Sequence, residues 1–64
     1  MEEIHLGQIW EMYSSGEGRW VRVIVTKIDG GEVTLRYEGL LEFMTVDLPE
    51  MQNNPEAFRR ATSD

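Results

Sequence analysis

Between Arg19 and Tyr37 the chain passes through a long apolar segment, a tight Asp29-Gly30-Gly31 break and an alternating segment, which is the pattern of a single β-hairpin. This block constrains the fold most, because Trp20 to Ile28 is apolar on both faces: Val21, Val23 and Val25 alternate with Trp20, Ile24 and Ile28. A strand of that kind is central in a sheet, or it bends so that each end offers a different face to the core. If Gly30 and Gly31 are the two central residues of a primed turn, Ile28 lies opposite Val33, Thr26 opposite Leu35 and Ile24 opposite Tyr37. A three-residue loop shifts the register by one and pairs Val25 with Leu35 and Val23 with Tyr37. Both registers agree with the sequence.

The flanking segments extend the hairpin into a small sheet. Met1 to Leu6 reads as a lead-in, and Gly7 opens a first strand from Gln8 to Met12 or Tyr13, where Ile9, Trp10 and Met12 suit a pleated surface. Ser14-Ser15-Gly16-Glu17-Gly18 breaks that strand, and its composition makes it the expected mobile segment between strands. After the Glu38-Gly39 turn, Glu42 to Leu48 alternates with the period of a half-buried strand, which Pro49 ends. Asn54-Pro55-Glu56 then supplies an N-cap, a proline at the first helical position and an acid in the first turn. These signals predict a short C-terminal helix over 55–61, with Arg59 and Arg60 near its end and Phe58 as its anchor. The sum is one mainly β domain over 1–64: a small half-open barrel of four or five antiparallel strands with a short C-terminal helix.

At 64 residues a chain buries only about 60% of the surface that its unfolded form exposes. An apolar content of 41%, with two tryptophans, two tyrosines and two phenylalanines, still suffices for one small core. The absence of cysteine removes disulfide staples and points to a reducing setting. No apolar run approaches the roughly 20 residues of a membrane-spanning helix, and Glu2 and Glu3 stand where a signal peptide is basic. A cytoplasmic protein without a membrane segment is therefore expected, and the initial Met1 reads as the start of a whole small protein. The net charge is -6, distributed as -4 over 1–18, +2 over 19–36, -5 over 37–56 and +1 over 57–64. Such an acidic protein is repelled by nucleic acid and anionic membrane at long range, although the hairpin keeps a local basic strip.

The opening Gly7-Gln8-Ile9-Trp10, the hairpin from Val21-Arg22-Val23-Ile24-Val25 to Val33-Thr34-Leu35, and the closing Phe58-Arg59-Arg60 together resemble the SH3-like small-barrel group. Within it the chain is similar to short bacterial and phage proteins without an assigned activity. The resemblance covers most of the chain and implies a binding or accessory role; many barrels of this group bind RNA or DNA. The Ala-Leu-Tyr-Asp-Tyr-type motif and the paired tryptophan of peptide-binding SH3 domains are absent, so proline-rich ligands are not implied.

Catalysis has little to stand on. His5 is the single histidine, beside Glu2 and Glu3, and lacks the spacing of a metal site; it reads as a surface histidine. Ser14, Ser15, Ser63 and the threonines have only His5 as a possible base, and Ser14 and Ser15 serve the turn. Glu38 and Glu42 read as a solvated acidic rim rather than an acid/base pair, since a domain this small hardly encloses a desolvated cleft. The expectation is a protein that is not an enzyme and needs no cofactor or metal.

Binding has more. Trp10 reads as core, whereas Trp20, at the edge of the serine-glycine loop, suits either the core or a partner contact. Leu40 and Leu41 follow a turn where polar residues are usual, and with Phe43 they make an apolar patch. The C-terminal segment, through Met51 or Phe58, is expected to lie over that patch; left uncovered, it is a surface for a partner or a second copy. The residues expected to carry a protein contact or self-association are thus Trp20, Tyr37, Leu40, Leu41 and Phe43, with the acidic segment from Glu38 to Glu56 steering a basic partner. The alternative is nucleic-acid binding through Arg19, Arg22, Lys27 and Arg36, with Trp20 and Tyr37 as stacking groups.

Overall fold

The computed structural model describes residues 3–61; Glu2 and Ser63, named above, lie outside the described residues. Five strands, β1 (Ile9–Ser14), β2 (Arg19–Asp29), β3 (Glu32–Tyr37), β4 (Phe43–Asp47) and β5 (Phe58–Arg60), form one antiparallel sheet in the order β4-β3-β2-β1-β5. Among the described residues a single short helix, α1 (Leu48–Asn53), falls between β4 and β5. The fold is mainly β, and the sheet stays open, since β4 and β5 are its two edges.

The strand that is apolar on both faces is indeed central, and it bends. Near the turn Asp29 pairs with Glu32, Ile28 with Val33 and Lys27 with Thr34; the register then shifts, and Val25 pairs with Leu35, Ile24 with Arg36 and Val23 with Tyr37. Each register deduced from the sequence therefore holds on one side of a β-bulge at Thr26. The two-residue loop sets the first, with Gly30 at a φ of +67° as a primed turn requires. The bulge sets the second, and its extra residue bends the strand and increases its twist. The Thr26 hydroxyl donates to the Thr34 carbonyl at 3.2 Å, which gives that carbonyl a partner beside the disrupted ladder.

The bend curls the sheet around one face. That inner face holds Trp10 and Met12 from β1, Val23 and Val25 from β2, Val33 and Leu35 from β3, and Phe58 from β5, joined by Ile4 and Met51. Val21, Tyr37, Met44, Val46, Leu48 and Ala57 pack at its margin. Ile4 belongs to the core although it falls in the lead-in. The amide of Gly7 donates to the Val25 carbonyl at 2.8 Å and that of Val25 to the Gln8 carbonyl at 3.0 Å, so the lead-in runs on beside β2 and brings Ile4 to the core.

The helix is displaced from its expected position. Asp47 is the N-cap of α1, Pro49 lies in its opening and Glu50 in its first turn, the same grammar that the sequence repeats at Asn54-Pro55-Glu56. Asn54 instead terminates α1: its amide donates to the Glu50 carbonyl at 3.1 Å and its side-chain Nδ2 to the Glu50 carboxylate at 2.8 Å. The second signal makes one turn only, in which the amides of Ala57 and Phe58 both donate to the Asn54 carbonyl at 3.0 Å. The expected helix over 55–61 is thus replaced by this turn and by β5, whose Phe58, Arg59 and Arg60 pair with Met12, Glu11 and Trp10. An isolated two-turn helix is marginal in water, whereas the strand buries Phe58 and gains ladder hydrogen bonds.

Helix α1 packs against β4 and β5 together, and so covers the gap between the two edges. Met51 is its buried residue, and the Leu48 amide donates to the Gly31 carbonyl at 2.7 Å, tying the helix to the hairpin turn.

Candidate functional site

The β2 strand places Trp20 and Arg22 on the outer face of the sheet, and β3 ends at Tyr37, which pairs with Val23 and turns toward the core margin. Trp20, Val21, Tyr37 and Leu40 make the apolar part of an open groove of roughly 390 Å³, and Glu11, Glu17, Arg19, Arg22 and Glu38 form its polar rim. Tyr37 is half-buried, packs against the core, and donates its hydroxyl to the Met44 sulfur at 3.7 Å. Trp20 is edge-on to Tyr13, with ring centroids 5.6 Å apart, and the Arg59 guanidinium lies 3.9 Å from the centre of a Trp20 ring. A partly exposed tryptophan held by a cation on one side and an aromatic ring on another is a rigid contact element.

Leu40, Leu41 and Phe43 are 53%, 87% and 57% exposed. The expectation that the C-terminal segment covers them is overturned: Met51 and Phe58 join Trp10 in the core. The hairpin turn explains the outcome. The Leu40 amide donates to the Tyr37 carbonyl at 3.1 Å, the Tyr37 amide to the Glu42 carbonyl at 3.0 Å, and Gly39 takes a φ of +83°. The loop is closed on itself, so its leucines stay in solvent at the end of the β3–β4 hairpin. The five residues expected at a protein contact therefore divide. Trp20, Tyr37 and Leu40 share the groove, while Leu41 and Phe43 lie beyond its lining, Phe43 opposite Arg36 in the ladder.

The cations of the alternative reading are dispersed, and its three arginines are partnered. Arg19 Nε lies 2.8 Å from Glu17, Arg22 Nε lies 3.3 Å from Glu38, and Arg36 donates to the Leu40 carbonyl at 3.1 Å. Lys27 sits past the bulge, toward the Gly30-Gly31 turn. His5 is exposed, with Nε2 3.1 Å from Glu3. Among the described residues no three His, Asp or Glu side chains gather where they could hold a metal ion, and no helix is long and apolar enough to cross a membrane.

Two features escape a reading of the sequence alone. The Arg59 contacts depend on β5 lying beside β1, and no local pattern announces that pairing. The Glu11–Arg59 ion pair, at 2.6 Å, crosses the same strand boundary. Both become visible only once Phe58–Arg60 is a strand.

The fold and the groove define a small open β-sheet domain with an uncovered apolar end. No family model matches the chain, and neither the curated proteins nor the solved structures provide a match.

Proposed function

We propose that this protein is a non-enzymatic interaction module of SH3-like small-barrel architecture, which binds a protein through its groove and the adjoining apolar end. The observation that carries the reading is the exposure of Leu40, Leu41 and Phe43 next to a groove lined by Trp20 and Tyr37. Large apolar side chains grouped at one end of a small domain mark a contact surface, and a half-exposed tryptophan at its margin suits a central anchor. The small-barrel assignment is supported by the strand order, in which four strands follow as a meander and the fifth returns beside the first. It is also supported by α1, which covers the gap between the edge strands. The partner is a protein with apolar anchors and a basic surround, attracted by the excess of acidic residues from Glu38 to Glu56.

Nucleic-acid binding is the second reading, and the pairing of Arg19 and Arg22 with carboxylates weighs against it. A phosphate there would compete with Glu17 and Glu38 for the guanidinium charge. A titration with single-stranded and duplex oligonucleotides separates the readings, since phosphate binding weakens steeply with salt. The protein reading is tested by Trp20→Ala and by Leu40→Ser with Leu41→Ser: both weaken partner binding while the domain stays folded. Undiminished binding by both variants would place the contact elsewhere.

A further inference from the structure

The outer face of the sheet carries a charge pattern that is complementary to itself. Glu11 in β1 pairs in the ladder with Arg59 of β5 on one side and with Arg22 of β2 on the other. Glu38 follows on the far side of Arg22, its amide donating to the Arg22 carbonyl at 3.1 Å. The row Arg59, Glu11, Arg22, Glu38 thus alternates in sign across four neighbouring chain segments. Within the molecule it is linked at 2.6 Å between Arg59 and Glu11 and at 3.3 Å between Arg22 and Glu38. Flanking rows pair like with like: Ile9 with Ile24 on one side of the charges, Tyr13 with Trp20 on the other.

A two-fold axis parallel to the strands, running between β1 and β2, exchanges the members of every one of these pairs. Two copies related by it face each other with Arg59 on Glu38, Glu11 on Arg22, Ile9 on Ile24 and Tyr13 on Trp20. Every charge of the row then meets its opposite, whereas an axis along the row sets each charge on itself. An isologous contact requires this kind of self-complementarity.

We propose that the outer face of β1 and β2 is the surface through which two copies of this chain associate, back to back, about that axis. The proposal goes beyond the interaction-module reading: it takes Glu11, Trp20, Arg22 and Glu38 from the groove's margin and leaves the Leu40, Leu41 and Phe43 end outside the contact. The molecule measures 29 × 26 × 25 Å, so one face is smaller than the roughly 800 Å² per partner of a standard interface. The dimer is accordingly weak and transient. Each copy carries a net charge of -6, and physiological salt, with a Debye length of about 8 Å, screens that long-range repulsion more than the contacts at the interface.

The decisive experiment reverses the whole row at once: Arg59→Glu, Glu11→Arg, Arg22→Glu and Glu38→Arg. The alternation within each molecule survives, and so does the match between two reversed copies, but a reversed copy set against a native one meets like charge at all four positions. Sedimentation and fluorescence exchange between labelled chains are expected to show native pairs and reversed pairs, with mixed pairs weaker by on the order of tenfold or more. Free mixing overturns the proposal, as does a native chain that stays monomeric up to about 1 mM. Amide shifts of the native protein against its own concentration give a readout independent of how the variant folds. Shifts at Ile9, Glu11, Arg22 and Ile24 support the two-fold contact, and shifts confined to Leu40, Leu41 and Phe43 overturn it. Loss of heterologous binding in the Leu40 and Leu41 variants, with self-association intact, separates the two surfaces.

Discussion

Leu35 and Leu41 carry the same side chain and answer to different physics. Leu35 is fully buried in the core between β2 and β4, whereas Leu41 is in solvent. Leu35→Ala is expected to destabilise the domain by about 2–5 kcal/mol, a large share of the marginal stability of a chain this size. Leu41→Ser is expected to change it by no more than about 0.5 kcal/mol, and urea unfolding followed by circular dichroism checks both. The alternation of Val33, Leu35 and Tyr37 makes the inward residues legible in the sequence. Leu40 and Leu41 follow no period, so their exposure depends on the turn geometry and not on pattern. Arg59 is the opposite case, since its contact with Trp20 joins β5 to β2 across β1. Arg59→Ala is expected to cost about 1 kcal/mol and to shift the Trp20 indole proton resonance, with Arg59→Lys recovering part of the stability. An unmoved Trp20 resonance would show that the stacking is absent in solution.

Among the elements, the central hairpin was legible except for its bulge. Two registers fitted the residues because both occur, and the hydrophobic pattern alone cannot say where one gives way to the other. Deleting Thr26 aligns the two halves of β2 into one uninterrupted ladder. The deletion variant is expected to keep the Ile28–Val33 and Val25–Leu35 pairs, detectable as cross-strand NOEs, and to lose stability because the sheet flattens and α1 no longer spans its edges. A register slip in that variant would mean that the bulge, and not the side-chain pattern, holds the pairing. The position of the helix is hidden in the sequence for a related reason. Asp47-Leu48-Pro49-Glu50 and Asn54-Pro55-Glu56 carry similar start signals, and Pro49 also reads as the end of a strand. Only the pairing of Phe58–Arg60 with β1 decides which signal is extended.

For the molecule as a whole, the sequence revealed a mainly β domain with one small core, and it revealed which residues could meet a partner, but not which of them stay uncovered. That depends on long-range closure: α1 and β5 were free to cover the Leu40–Phe43 end and instead seal the opposite opening, where Met51 and Phe58 join Trp10. The net charge of -6 opposes compaction at low salt. The urea midpoint is therefore expected to rise between about 0.01 and 0.15 M salt, where the Debye length falls from about 30 to 8 Å, with the slope of the transition unchanged. The most direct test of the binding surface is a photo-crosslinking amino acid at position 41, compared with the same group at the exposed Asp29. A discrete crosslinked protein is expected from position 41 alone, lost when Leu40→Ser and Phe43→Ser are added to a chain whose urea midpoint is unchanged. Equal crosslinking from both positions, or a product that survives those substitutions, would contradict it.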